Sequence, residues 1–394
     1  MTPYRAVASI AAAACLSVGP LRAATDPALA GPYTPGVQTQ SITVAGGDVL
    51  ATDIHFPASG AVVDPAAGRC PLIVFGHGFS SNKAPYAGHG AHWASRGYIV
   101  LIPNMVGGSD HSRNADDLVG LVTWALAQDL DPASLLYGRI DRNAIGSSGH
   151  SAGGLSSLVA AARDPRIRAT APFDPVDNNN LGVNAMPLIT VPAAITYSED
   201  NACNANGSAR VLYAAAVPVK RGVKIVGATH CDPLDPAEFA CGLICGASTP
   251  ARQESYRRYV TGWFEFWLRC DASYYDWVYG SHVADDVSAG VVTYAADPDP
   301  GPLDPCAQSG TPPPAVTGVR AWRSGAAVAL AWDAASATPA VSEYRVYRSD
   351  SEPFVFGPPL LSVANTAASD AAGLGGNAIY FYQVRAVNSV AEGP

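Results

Sequence analysis

The chain has 394 residues with a formal net charge of −9, and 48% of its residues are hydrophobic while 14% are charged. It can therefore bury a large core and is long enough for more than one domain. No basic block is present to neutralise phosphates, which argues against nucleic acid as a partner.

The first residues have the features of a secretory signal peptide. Arg5 precedes an apolar run at residues 6–18, and the small residues Ala23 and Ala24 follow. The run is too short to span a bilayer, so we predict a leader at residues 1–24 and a protein secreted to the periplasm or the exterior. Lipoprotein processing at Cys15 is the alternative. No later segment is a transmembrane candidate, and we expect a monomer.

Residues 41–270 alternate between predicted strands and helices. The strands are continuous apolar runs, as parallel strands buried on both faces should be. This order predicts a doubly wound α/β sheet with right-handed crossovers, in a domain at residues 25–296. The predicted strands are 42–56 (a hairpin), 71–75, 98–102, 143–148, 167–173, 191–197 and 223–227, and the predicted helices are 86–95, 116–130, 155–162 and 249–268.

The composition changes after the sheet region. Residues 297–313 are rich in Pro, Asp and Gly and predict an extended linker. Short alternating segments follow, and residues 314–394 resemble a fibronectin type III module, a small all-β sandwich, with Trp332 in its core and Tyr380 in the tyrosine-corner position. The chain stops where that family has a last strand, so a truncated module and one completed by something else both stay open.

The stretch Gly149-His150-Ser151-Ala152-Gly153 lies between a predicted strand and a predicted helix. A G-x-S-x-G sequence in that context forms a sharp turn that presents the serine hydroxyl at the carboxyl edge of the sheet. Ser151 is therefore the predicted nucleophile.

A serine nucleophile needs a base and an acid that orients the base, in the chain order Ser, Asp or Glu, His for this fold. Of the histidines, His230 and His282 follow Ser151, and His230 comes directly after the last predicted strand of the sheet. We predict His230 as the base. Two successive predicted strands are each followed by an aspartate, Asp174 after the first and Asp200 after the second. Position alone does not decide which of them is the acid.

The oxyanion of an acyl-transfer intermediate needs donors that are already in place. The backbone N–H of Ala152, at the start of the helix, is one candidate. The loop at residues 76–80 follows the strand at 71–75 and supplies the other, the N–H of Phe79. His77 in the same loop is predicted to be structural.

Seven cysteines remain without the leader, and an exported protein is expected to pair them. Cys203 and Cys231 each follow a loop that should meet at the active site, which favours their pairing. A zinc site at Cys231, Cys241 and Cys245 is the alternative, although it lacks a C-x2-C pair. The predicted pairs are Cys203–Cys231, Cys241–Cys245 and Cys270–Cys306, with Cys70 free.

The sequence contains four motifs, at residues 76–79, 149–154, 174–177 and 227–232. Together they resemble the α/β-hydrolase branch that holds chlorophyllases and cutinase-like bacterial polyester hydrolases. In chlorophyllase-like enzymes the acid is the first Asp of an Asp-Pro motif, which here is Asp174, with Asp177 three residues on. In cutinase-like polyesterases it follows the next strand, where this chain has Asn201 beside Asp200. The latter enzymes also tend to join the acid and histidine loops with a disulfide.

We therefore expect a secreted serine carboxylic ester hydrolase that uses Ser151, His230 and Asp174, and for which no metal or organic cofactor is implied. Its expected substrates are polyester, cutin-like or lipid esters, and polymeric substrates would suit the appended module. A peptidase or acyltransferase on the same fold and a catalytically silent binding protein are the alternatives.

Overall fold

A computed structural model of the protein describes residues 24–217, 219–297, 313–337, 341, 343–350, 354, 359–371, 379–387 and 393. The predicted leader up to residue 23, including Cys15, and the predicted linker from residue 298 to residue 312 lie outside these residues. In the described part of the chain, no helix is both long and apolar enough to cross a membrane.

The larger sheet contains ten strands among the described residues, and smaller sheets follow near the C-terminus. The strands are β1 Pro35–Thr43, β2 Val49–Ser59, β3 Val62–Val63, β4 Cys70–Gly76, β5 Ile99–Pro103, β6 Ile140–Gly149, β7 Ile167–Thr170, β8 Ala193–Tyr197, β9 Lys220–Ile225, β10 Val292–Asp297, β11 Arg320–Ser324, β12 Ala327–Ala331, β13 Glu343–Ser349, β14 Leu361–Val363, β15 Ala367–Asp370 and β16 Phe381–Val387.

The helices connect the strands of the larger sheet. They are α1 Ala87–Ser95, α2 His111–Gln128, α3 Ala152–Arg163, α4 Leu181–Ala185, α5 Ser208–Ala215, α6 Phe239–Cys245, α7 Pro250–Trp267, α8 Tyr275–Val278 and α9 Ser281–Ser288, with short 3-10 turns at Pro65–Ala67, Ala84–Tyr86, Met186–Leu188, Ala202–Asn204 and Ala272–Tyr274.

The larger sheet is mixed, and its central strands are parallel. Its order is β1-β2-β5-β4-β6-β7-β8-β9-β10, with β3 paired to β2. The strands from β5 to β9 in that order pair in parallel, whereas β1, β2 and β10 are antiparallel additions at the edges. The predicted α/β sheet is therefore present, and the predicted hairpin is the β1–β2 pair.

Helices cover both faces of this sheet. Successive side chains of a strand point to opposite faces, and in these apolar strands both faces must be buried. In β4, Leu72 and Val74 contribute to one hydrophobic cluster, which includes residues of α2 and α3. Ile73 and Phe75 contribute to a second cluster, with Trp93 of α1 and residues of α7. Buried on both faces, the parallel strands end at one carboxyl edge, where ligands of open α/β sheets bind.

Two three-stranded antiparallel sheets lie in the C-terminal region, β11-β12-β15 and β14-β13-β16. Their shared cluster contains Trp332 and Tyr344, whose rings are 5.5 Å apart. Trp332 thus lies in a core, as predicted. The assignment of this region to the fibronectin type III family stays a prediction.

The predicted cysteine pairing is wrong for four cysteines. The disulfides are Cys203–Cys245 and Cys231–Cys241, because α6 lies between the two loops and its cysteines, one helical turn apart, each reach a different loop. All three sulfurs of the zinc alternative lie within 4.8 Å of one another, but each is in a disulfide and offers no thiolate.

The remaining cysteine predictions have different outcomes. Cys70 is free and buried, as predicted. Cys270 is disulfide-bonded, and its predicted partner Cys306 lies outside the described residues.

Candidate active site

Ser151 occupies a strained turn between β6 and α3. Strand β6 ends at Gly149, α3 begins at Ala152, and the φ angle of Ser151 is 57°. A Cβ at Gly149 would lie 2.5 Å from the Gly153 carbonyl oxygen, and one at Gly153 would lie 2.2 Å from that of Gly76. Both glycines are therefore required by close backbone packing, which holds the serine at the edge of the sheet.

His230 and Asp174 lie in line with the Ser151 hydroxyl. The Oγ of Ser151 is 2.9 Å from Nε2 of His230, and Nδ1 of His230 is 2.7 Å from Oδ2 of Asp174. An ionised carboxylate only accepts, so Nδ1–H donates to Asp174 and Nε2 keeps the lone pair that accepts the serine proton. The three groups have the geometry of a nucleophile, a base and an orienting acid.

The carboxylate of Asp174 is fully buried and receives several hydrogen bonds besides that of His230. The Ser198 hydroxyl donates to Oδ2 at 2.6 Å, and the Ser198 backbone N–H donates to Oδ1 at 3.2 Å. Nδ2 of Asn204 donates to Ser198 Oγ at 3.0 Å and lies 3.5 Å from Asp174 Oδ2. These donors fix the carboxylate and compensate for its loss of water.

The other predicted acids serve different contacts. Asp200 forms an ion pair with Arg210, and its side chain is 41% exposed. Asp177 accepts the backbone N–H groups of Leu181 and Val183 and so caps α4. Neither carboxylate contacts His230.

Asn201, at the position of the polyesterase acid, is also used structurally. Its side chain accepts the Cys203 N–H at 2.8 Å and forms a reciprocal capping box with Asn204. The segment after β8 therefore ends in a capped 3-10 turn that brings Asn204 toward Asp174.

The two predicted oxyanion donors lie on one cavity. Phe79 and Ala152 both line a cavity of about 170 Å³, together with other residues of the loop after β4 and with Met105 and Asn114. Among the described residues, neither the Phe79 nor the Ala152 N–H has a backbone or side-chain acceptor. Phe79 is 63% exposed. The two N–H groups are thus available to an oxygen bound beside Ser151.

Tyr86 supports the loop after β4 through a hydrogen bond to Gly78. The Gly78 N–H donates to the Tyr86 hydroxyl at 3.0 Å, and this hydroxyl in turn donates to Nδ1 of His150, 2.9 Å away. Burial raises the pKa of Tyr86 and lowers the pKa of His150 well below its usual range. Both groups are therefore neutral, although the His150 and His230 rings are only 4.6 Å apart.

The other predicted histidine assignments have different outcomes. His77 is structural, as predicted: its Nδ1 donates to the Gly78 carbonyl at 2.8 Å and its Nε2 accepts the Met105 N–H at 2.9 Å. Burial lowers the pKa of His77, in agreement with a neutral ring. His282 stacks on Trp277 and has no contact with Ser151.

Three residues of this region carried no signal in the sequence. Ser198 and Asn204 reach Asp174 from the segment after the neighbouring strand, and Tyr86 reaches Gly78 from the 3-10 turn before α1. Contacts of this kind depend on which strands are adjacent, and no local pattern in the chain reports them.

Comparison with known proteins identifies the family. The profile of the PETase family, described as PET hydrolase-like, matches residues 11–234, a stretch that contains Ser151, Asp174 and His230. The chain belongs to the PET hydrolase-like family. Membership of this family agrees with the α/β-hydrolase sheet and with the polyester-hydrolase side of the sequence resemblance.

A curated relative of this PET hydrolase-like chain is bis(hydroxyethyl) terephthalate hydrolase from Streptomyces coelicolor. The two sequences are 29% identical over 151 residues, which is 38% of this chain and 44% of the relative. The similarity therefore spans less than half of the relative's length.

Proposed function

We propose that the protein is a secreted serine carboxylic ester hydrolase that acts through Ser151, His230 and Asp174 and an acyl-enzyme. The observation that carries this proposal is the unbroken hydrogen-bond relay from Ser151 Oγ through the His230 ring to Asp174. A relay of this kind activates an otherwise weak hydroxyl nucleophile.

In the proposed reaction, Ser151 Oγ forms a bond to the ester carbonyl carbon while Nε2 of His230 takes the hydroxyl proton. Asp174 stabilises the imidazolium through its bond to Nδ1 and keeps the ring in orientation. The N–H groups of Ala152 and Phe79 donate to the oxyanion. The C–O bond to the alcohol then breaks, and the alcohol leaves with the proton from Nε2.

Deacylation repeats these steps with water. Nε2 of His230 accepts a proton from water as the water oxygen attacks the acyl carbon. Collapse of the second tetrahedral intermediate breaks the bond to Ser151 Oγ, which recovers its proton from Nε2. The carboxylic acid is released, and the site returns to its starting state.

The proposed substrates are esters of polyester, cutin-like or lipid type, and the family and the named activity of the Streptomyces relative favour polyester. The cavity beside Ala152 measures about 170 Å³. An enclosed apolar cavity of about 150 Å³ binds one benzene ring, so the cavity beside Ala152 has room for about one aryl or acyl unit of a polymer.

The proposed organisation is a leader at residues 1–24, a catalytic domain at 25–296, a linker at 297–313 and a fibronectin type III-like module at 314–394. The disulfides near His230 favour an oxidising compartment, extracellular or periplasmic. The C-terminal module would act as a spacer or a weak anchor on particulate substrate.

The test combines covalent labelling with a substrate panel. We expect a fluorophosphonate probe to label the native chain at Ser151 and not the Ser151→Ala variant, and p-nitrophenyl esters to be hydrolysed by the native chain alone. Absence of labelling at Ser151 would contradict the esterase proposal and favour a catalytically silent binding protein. Labelling with faster turnover of peptide anilides than of esters would indicate a peptidase instead.

A further inference from the structure

Helix α6 is an apolar element that the fold does not bury. Its residues Phe-Ala-Cys-Gly-Leu-Ile-Cys include no charged side chain, and none of them is buried. Phe239 is 82% exposed, Leu243 71% and Ile244 79%. Single exposed apolar residues are ordinary, but three on seven consecutive residues form a contiguous patch.

Covalent bonds, and not a hydrophobic face, hold α6 on the protein. A seven-residue helix is marginal in water by itself. Cys241 is bonded to Cys231, and Cys245 is bonded to Cys203. At about 100° per residue the two cysteines share one side of the helix, while Phe239, Leu243 and Ile244 cover an arc on the other side. The disulfides therefore turn the apolar side toward solvent.

These bonds also fix α6 next to the proposed catalytic groups. Cys231 directly follows His230 in the chain. Thr229, which directly precedes His230, donates through Oγ1 to the carbonyl of Gly246, the residue after α6, at 2.9 Å. Cys203 precedes Asn204, which contacts Asp174. The apolar helix is thus attached to the loop of the base and to the segment that supports the acid. It lies beyond residues 11–234, which match the family.

We propose that Phe239, Leu243 and Ile244 form a docking surface for a neutral, water-insoluble polyester, which places polymer chains beside Ser151. The proposal rests on the proposed function and specifies how that site meets its substrate. A polyester offers ester and aryl or alkyl groups without net charge, which matches a patch without charged side chains. Adsorption would remove exposed apolar area from water, and this transfer is favourable.

Two other occupants fit the patch less well. An anionic membrane surface attracts helices with Lys or Arg, whereas α6 has none and the chain has a net charge of −9. A second copy of the chain would need about 800 Å² per partner, and three exposed side chains offer on the order of 400 Å².

The experiment compares a triple variant of the full chain, Phe239→Ser with Leu243→Ser and Ile244→Ser, with a matched control. The control replaces Val37, Val49 and Val62 by Ser, since these are also exposed apolar residues, 55–58% exposed, and lie on β1 to β3 at the far end of the sheet order. Adsorption to an amorphous poly(ethylene terephthalate) film is measured in the Ser151→Ala background. Turnover of the film and of soluble p-nitrophenyl butyrate is measured with Ser151 present.

We expect the α6 variant to adsorb about tenfold more weakly and its ratio of film turnover to soluble-ester turnover to fall about tenfold, while the control keeps the parent values. Equal adsorption of both variants would overturn the proposal. Two other results would also overturn it. One is α6-dependent binding of the chain to phosphatidylglycerol vesicles but not to the film, and the other is a dimer of the parent chain that dissociates when the α6 residues are replaced.

Failure of the proposed function has a separate signature. If the native chain neither reacts with the fluorophosphonate nor hydrolyses the soluble ester, the esterase proposal fails. The adsorption of the Ser151→Ala chains would still decide whether α6 is a docking surface, because that measurement needs no turnover.

Discussion

Asp174 and Asp200 follow adjacent parallel strands at the same edge of the sheet, yet their surroundings are opposite. Asp174 is fully buried and accepts hydrogen bonds from His230, from Ser198 and, at 3.5 Å, from Asn204. Asp200 is partly exposed and pairs with Arg210. The carboxylate that can orient the base is the one that the fold encloses and surrounds with donors.

The difference shows that a position after one of these strands does not by itself bring a carboxylate into contact with His230. Ser198 directly follows β8 and contacts Asp174, and the segment then ends in a 3-10 turn, capped by Asn201, that brings Asn204 to Ser198 and Asp174. In this chain the segment that carries the acid in cutinase-like polyesterases supplies hydrogen-bond donors to an acid on the neighbouring strand.

The largest expected effect separates the two acids. Asp174→Asn should lower kcat for p-nitrophenyl butyrate by about 10⁴-fold, because the amide no longer orients or stabilises the His230 ring. Asp200→Asn removes only an exposed ion pair, a contact worth about 0–1 kcal/mol, and should leave kcat within twofold. Steady-state kinetics of both variants, with fluorophosphonate labelling rates, make the comparison. Collapse of activity in Asp200→Asn with near-normal Asp174→Asn would transfer the role to Asp200.

A smaller effect is expected for the residue that fixes the Asp174 carboxylate. Ser198→Ala deletes the 2.6 Å bond to Oδ2, and hydrogen bonds to charged groups contribute about 1.5–3 kcal/mol, so kcat should fall about tenfold. KM should be nearly unchanged because Ser198 is a positioning residue, and Ser198→Thr, which keeps the hydroxyl, should recover most of the loss. Parent kcat in Ser198→Ala would mean that the backbone and Asn204 suffice.

The smallest effect is expected on the oxyanion side. Tyr86→Phe leaves the buried Gly78 N–H without its acceptor, at a cost of about 1–3 kcal/mol of folding stability. The loop that carries Phe79 loses its support, so kcat should fall about threefold while KM changes little. Thermal unfolding and steady-state kinetics on a soluble ester measure the two effects. An unchanged unfolding midpoint together with unchanged kcat would show that the loop needs no support from Tyr86.

Much of the site could be predicted because its signals are local or depend on chain order. The glycines around Ser151, the apolar strands and the place of His230 after the last parallel strand are all visible in the sequence, and they predicted which residues would meet. The prediction of the disulfide pairing was wrong because the pairing depends on contacts that are not local. Nothing local indicated that a short helix would lie between the loops of Cys203 and Cys231.

The sequence alone predicts the order of strands and helices along the chain, the strained turn at Ser151 and the candidate residues for base and acid. These features depend on residue type and spacing. Only the tertiary structure shows that Asp174 and not Asp200 is hydrogen-bonded to His230, that Ser198 and Tyr86 contact the site, and that α6 is exposed. Each of these outcomes depends on contacts between segments far apart in the chain. Such contacts follow from how the strands pair and which side chains are enclosed, and no short window of residues records them.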